Sequence, residues 1–231
     1  HNAIVAVAPE GPRRPTYNLL LIAIDQYEHL PRLNNAVADA ERIAALLSEA
    51  YGFLGTHTIQ LFDQGATRSN ILATLDDLAV RLGHEDDLVI AYLGQAQHTE
   101  DFEETYWLPA DAVKDERSGW IPFRNIARYL RSIPAANILV IADTSYGGNV
   151  LQTEPKVGSS SPESDRSRWL LTSTSAGEVS LDGAAGTSSP FVEALLKILA
   201  DNSSPSLDAD RLAGLLRQSW NLQAELPYTP D

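Results

Sequence analysis

Two apolar runs in this 231-residue chain end in residues placed to do chemistry. Asp87 to Leu93 (DLVIAYL) runs into Gly94-Gln95-Ala96. Asn137 to Ala142 (NILVIA) runs into Asp143-Thr144-Ser145-Tyr146-Gly147-Gly148. In an open α/β sheet, ligand sites lie outside the carboxyl ends of the strands. Gln95 and Ser145 therefore stand where a base and a nucleophile would stand. What they carry is an amide and a hydroxyl. A serine hydroxyl needs an adjacent base to attack, and a glutamine amide takes up no proton near neutral pH. His98 lies three residues beyond Gln95, up to about 10 Å along extended backbone. A hydrolase built from Ser145 and His98 would require that loop to fold back.

The elements that must position these residues alternate between strand and helix. Tyr17 to Ile24 (YNLLLIAI) is a continuous apolar run, as expected for a strand buried on both faces. Ala36 to Tyr51 carries apolar residues at helical spacing and is followed by Gly52, a suitable C-cap. His57 to Phe62 reads as a short strand. Thr67 is placed to cap a helix over 68–82, with Gly83 closing it. Pro122 opens a helix to about Arg131, and further helices are predicted over 190–200 and 207–222, with a strand at 169–174. This alternation predicts a mainly parallel sheet with helices on both faces. Residues 151–168 (LQTEPKVGSSSPESDRSR) read as a mobile linker within a single domain over 1–231.

Composition narrows the function classes. The net charge of −14 argues against nucleic-acid or anionic-membrane surfaces. No apolar run reaches the ~20 residues of a bilayer span, and a cytoplasmic location is expected. There is no cysteine, which excludes disulfides, thiolate zinc sites and thiol catalysis in the chain as it stands. There is no methionine either, so the chain is expected to be part of a longer, multidomain protein.

The order of motifs resembles the caspase-like peptidase family, in particular its bacterial metacaspase and orthocaspase branch. The resemblance is carried by LLLIAIDQY (19–27), LNNAVADAERIAALLSEAYGF (33–53), DLVIAYLGQA (87–96), YWLPADA (106–112), ILVIADTSYGG (138–148) and RWLLTSTSAGEVS (168–180) followed by SPF (189–191). It implies a three-layer α/β/α sandwich in which 1–150 corresponds to the large subunit and 169–231 to the small one. It also implies a catalytic His–Cys pair. The family's Gly-His-Gly falls on Gly94-Gln95-Ala96 and its Asp-x-Cys-x-Gly on Asp143-Thr144-Ser145-Tyr146-Gly147, so both reactive positions are substituted. Acidic residues that hold a basic side chain in this branch fall on Asp39 and Asp143. Two carboxylates facing one cavity suit an arginine or lysine. The alternative is that Asp39 serves a helix first turn and Asp143 a strand-end loop.

The expectation is a caspase-fold pseudo-protease that binds a peptide or protein partner, with a basic residue between Asp39 and Asp143. It would be a regulatory or scaffold module and a monomer. The alternative is an active endopeptidase cutting after basic residues, through Ser145 with His98 as base or with Ser145 standing in for a native cysteine. No metal ligand set is expected. Calcium, which activates some relatives, has only the Glu100/Asp101/Glu103/Glu104 cluster to bind it, without the spacing of a defined calcium loop. Lys156, Arg166 and Arg168 offer basic cleavage points in the linker. His29, His57 and His84 read as surface residues, and Tyr106, Trp107 and Trp169 as packing.

Overall fold

The computed structural model describes residues 15–144, 166–173, 186–204, 206 and 208–220. Its centre is a five-stranded sheet made of β1 (Tyr17–Ala23), β2 (Thr58–Phe62), β3 (Asp87–Leu93), β7 (Asn137–Asp143) and β8 (Ser167–Thr172). The strand order is β2-β1-β3-β7-β8 and every pair is parallel. Alternate residues of a strand face opposite sides, and the two faces feed two cores. Leu20, Ile22, Ile90, Tyr92 and Val140 pack with Ile71 and Leu75 of α2 (Arg68–Arg81) and with Ile126 and Leu130 of α3 (Phe123–Ser132). Leu19, Leu21, Val89, Ala91 and Ile141 pack on the opposite face. Their partners there are α1 (Ala36–Tyr51), α4 (Pro190–Asp201) and α5 (Ala209–Trp220). These layers form an α/β/α sandwich, as the alternation of elements predicts.

Local signals explain several element ends. α1 stops where Gly52 takes φ +76°, and its N–H closes onto the Leu47 carbonyl. The start of α1 is capped from elsewhere in the chain. Asn35 makes no side-chain cap, and the Asp25 carboxylate instead accepts the N–H groups of Ala36 (2.8 Å) and Val37 (3.2 Å). α2 is capped by Thr67 as expected, but it ends on Leu82. Gly83 gives its N–H to the Asp86 carboxylate at 2.7 Å, which turns the chain into β3.

Two expectations need correction. The segment 96–107, whose acidic stretch 98–104 reads in sequence as a loop, is paired. It forms an antiparallel hairpin of β4 (Ala96–Thr99) and β5 (Glu104–Trp107), which continues to β6 (Ile121–Pro122) as a second, three-stranded sheet. Pro122 belongs to this strand, and α3 starts one residue later. The second correction concerns the end of the expected linker. Residues 151–165 lie outside the described residues, but Ser167 and Arg168 are already in β8, paired with Asn137 and Ile138.

Arg168 is only 6% exposed. It donates to the carbonyls of Leu130, Ile133, Ala135, Ala136 and Ser167 at 2.8 to 3.1 Å. The guanidinium thus takes up carbonyls at and just beyond the end of α3, where a cation is favoured by the helix dipole. Burial pulls its pKa down to about 10, and neighbouring Arg166 adds to the shift. A buried side chain of this kind is not an accessible cleavage point.

Candidate functional site at the strand carboxyl ends

The carboxyl ends of β3 and β7 lie side by side, with Leu93 opposite Asp143 and the Gly94 N–H bonded to the Asp143 carbonyl at 3.2 Å. This register brings the two signature segments of the sequence together. Ser145 itself lies outside the described residues.

The turn that carries Gln95 is clamped by two tyrosines. Tyr27, just beyond β1, accepts the Gln95 N–H at 2.7 Å. Tyr92, on β3, donates to the Gln95 carbonyl at 2.6 Å. The Leu108 N–H reaches both the Gln95 carbonyl (3.0 Å) and the Tyr92 hydroxyl (3.1 Å). Burial pushes both phenols above their ordinary range. They stay neutral hydrogen-bonding groups throughout the working pH range. A Cβ on Gly94 would lie 2.8 Å from the Tyr27 hydroxyl and 3.2 Å from that of Tyr92. The absent side chain is what allows this close approach. Beneath the turn, Trp107 is 1% exposed and stacks on Tyr92 with ring centroids 4.1 Å apart.

The Gln95 side chain is also engaged. Its amide nitrogen donates to the Pro31 carbonyl at 2.6 Å, which ties the β3 turn to the loop after β1. His98 does not approach this turn by a folded-back loop. It lies in extended β4, opposite Thr105, and its Nδ1 is 3.1 Å from the Thr105 hydroxyl.

Asp39 and Asp143 are brought together, and a short serine segment joins them. Asp39 lies in the first turn of α1 and is 2% exposed. It accepts hydrogen bonds from the Ser188 hydroxyl and, at 2.9 Å, from the Ser189 N–H. The Ser189 hydroxyl donates to the Asp143 carboxylate and accepts the Val192 N–H at 3.1 Å, so it also caps α4. Upstream, the Gly186 N–H is held by Asn35 Oδ1 at 3.0 Å. Arg42 extends over the outside, 3.9 Å from Asp39, bonded to the Ser188 hydroxyl and 3.2 Å from Glu193. Burial raises the pKa of Asp39. The Ser188 and Ser189 bonds oppose that rise, Asp143 reinforces it and Arg42 offsets part of it.

The profile of the caspase domain family matches residues 18–219. The chain belongs to this family. Among solved structures, protein GSU0716 from Geobacter sulfurreducens superposes with a TM-score of 0.70 over 94% of this chain and 95% of its own, at 19% identity. That likeness concerns the fold. A search of curated proteins returned no match.

In this caspase domain, several residues of the site gave no signal in the sequence. Tyr92 sits in a run that reads as apolar filling and Tyr27 just beyond another, and their joint hold on residue 95 arises only from strand order. Ser188 carries no motif. Ser189 had one available signal, a serine directly before a proline that opens a helix. The acidic cluster is divided by the hairpin. Glu104 points inward, 5% exposed, and pairs with the guanidinium and N–H of Arg124. Asp101 pairs with Arg117 at 3.4 Å. Among the described residues, no three His, Asp or Glu side chains are grouped to hold a metal, and no helix is long and apolar enough to cross a membrane.

Proposed function

We propose that this caspase domain is a pseudo-protease, a module that holds an extended peptide across the carboxyl ends of β1, β3 and β7 without cutting it. The observation that carries the reading is the Gln95 side chain. It occupies the position where the resemblance expects the family's histidine, and its amide is spent on the Pro31 carbonyl. General-base catalysis needs a group that takes up a proton within hydrogen-bond reach of the nucleophile, and an amide is not such a group. The position of His98 supports the same reading, because β4 is extended and carries its imidazole away from the turn along the hairpin.

The partner carries a basic residue. Asp39 and Asp143 share one serine bridge, and the Ser188 hydroxyl and Arg42 already stand at Asp39. A guanidinium or ammonium from a partner would take over the hydrogen bond that Ser188 now makes, as a stronger charge-assisted one. The module acts as a regulatory or scaffold element and binds as a single copy.

The test is cleavage of a panel of Arg- and Lys-terminated fluorogenic peptides, with and without calcium. The chain is compared with Ser145→Ala and with the triple variant Gln95→His/Ala96→Gly/Ser145→Cys. The expected result is a silent chain and a triple variant that cuts after basic residues. Cleavage by the unaltered chain that Ser145→Ala abolishes would overturn the reading in favour of a serine mechanism.

A further inference from the structure

Strand β2 is the outer strand of the large sheet, and among the described residues it pairs only with β1. Its sequence, TIQLF, contains no charge and no proline. Natural edge strands commonly carry such residues to prevent pairing with another chain. Phe62 packs with the α1-side core, while Ile59 and Leu61 pack on the opposite core. By alternation, Thr58 and Gln60 also face the α1 side.

Among the described residues, that side of the edge is not filled. Ala44, Ala45 and Ser48 of α1, with Phe53, Gly55, Thr58 and Gln60, line a groove of about 370 Å³. The helix borders this groove with small side chains only. A segment added beside β2 would direct every second side chain into this groove. The groove floor is uncharged, so those side chains are small and apolar or hydroxylated. Glu41 stands three residues before Ala44 and four before Ala45, and Glu49 four after Ala45, both exposed, while Arg42 is turned to Ser188 and Glu193. The groove is therefore flanked by acidic groups, and the chain as a whole carries −14. This charge disfavours a second copy as the occupant and favours a basic one.

We propose that the open edge of β2 is a docking site for an extended, basic segment of a partner polypeptide, which adds a strand to the sheet. Its alternate small apolar side chains fill the groove under Ala44, Ala45 and Ser48, and its lysines or arginines meet Glu41 and Glu49. This site is separate from the strand carboxyl ends, and the proposal does not depend on the pseudo-protease reading.

The test uses the full chain and a labelled probe peptide, KVTVAVTVK, with EVTVAVTVE as its charge-reversed control. Binding is read by fluorescence anisotropy, and amide hydrogen exchange is followed over residues 58–62. The expected result is binding of the lysine probe with new protection of amides in 58–62, weakened as salt rises from about 20 to about 500 mM. Ala45→Phe fills the groove from an exposed position, and Glu41→Lys/Glu49→Lys reverses its rim. Each variant is expected to weaken the lysine probe at least about tenfold while thermal unfolding stays unchanged. The proposal is overturned if the lysine probe does not bind, or if it binds Ala45→Phe equally well. It is also overturned by a dimer of the unaltered chain that Ala45→Phe dissociates, which would make a second copy the occupant. Amides of 58–62 that are already protected and become exposed on deleting residues 1–14 would assign the edge to the chain's own leading segment.

Discussion

The Ser189 hydroxyl donates to the Asp143 carboxylate at the end of β7 and accepts the N–H of Val192 in the first turn of α4. One small side chain thus ties the last turn of a central strand to the start of a helix 46 residues further on. Ser189→Ala removes both bonds. The expected loss is about 2–3 kcal/mol of folding stability, the sum of a lost N-cap and a weakened buried hydrogen bond. Asp143→Asn keeps an acceptor and is expected to cost under about 1 kcal/mol. Urea unfolding of the two variants tests the difference, and equal losses would show that the bond to Asp143 carries the effect and the cap adds little.

Asp39 gives the fold a measurable pH dependence. Its carboxyl is held above the range of an unfolded aspartate, chiefly by burial, and the unfolded value is ordinarily about 3.9. Above that pH the native state keeps a proton that the unfolded state has released. Stability contributed by this group therefore falls as pH rises from about 4 through the raised native pKa. Asp39→Asn removes the titration. The unaltered chain should lose stability relative to Asp39→Asn across this interval, as read from urea midpoints at successive pH values. Parallel curves would show that the carboxylate stays ionised in the fold.

The tyrosine clamp predicts a specific rescue. Gly94→Ala places a methyl 2.8 Å from the Tyr27 hydroxyl, closer than side-chain carbons approach. The expected cost is about 1–3 kcal/mol. Tyr27→Phe removes the oxygen that the methyl meets, at the cost of the Gln95 N–H bond. The double variant is expected to be more stable than the sum of the two single losses predicts, a coupling that a double-mutant cycle measures directly. Simple additivity would place the strain elsewhere.

Arg168 is expected to be the most sensitive cation in the chain. Arg168→Met retains much of the volume but removes a donor from five carbonyls, of which that of Ala136 keeps the Ser167 N–H. A loss above about 3 kcal/mol is expected. Arg168→Lys should recover only part of it, since an ammonium has three donors and no planar fork. Thermal unfolding of the two variants decides the point, and full recovery by lysine would mean that charge at the helix end is sufficient.

Most of the large sheet was legible because its strands are buried on both faces. Runs such as LLLIA in β1 and LVIAYL in β3 can be little else between helices of ordinary length. α1 was legible to the residue because Gly52 punctuates it. The small sheet was not, since β4, β5 and β6 have four, four and two residues, too few for a period to show. In the site, Asp39, Gln95 and Asp143 were visible through the resemblance. Their partners were not. Ser188 and Ser189 reach Asp39 from about 150 positions away, and no local pattern encodes a contact of that range. The cap that Asp25 gives to α1 is hidden for the same reason, because the usual signal sits beside the helix it serves.

The clamp on the β3 turn has an evolutionary consequence. The path of the backbone at residue 95 is set by Tyr27, Tyr92, Leu108 and the missing side chain of Gly94. None of these would take part in bond cleavage. The scaffold of the turn and the reagent it displays are therefore separate parts. A lineage can exchange the residue at 95 while the turn keeps its shape and the protein stays above its stability threshold. A domain built in this way can lose catalysis in a few substitutions and still present the same surface to its partners. By the same logic, it can recover catalysis without having to refold around the change.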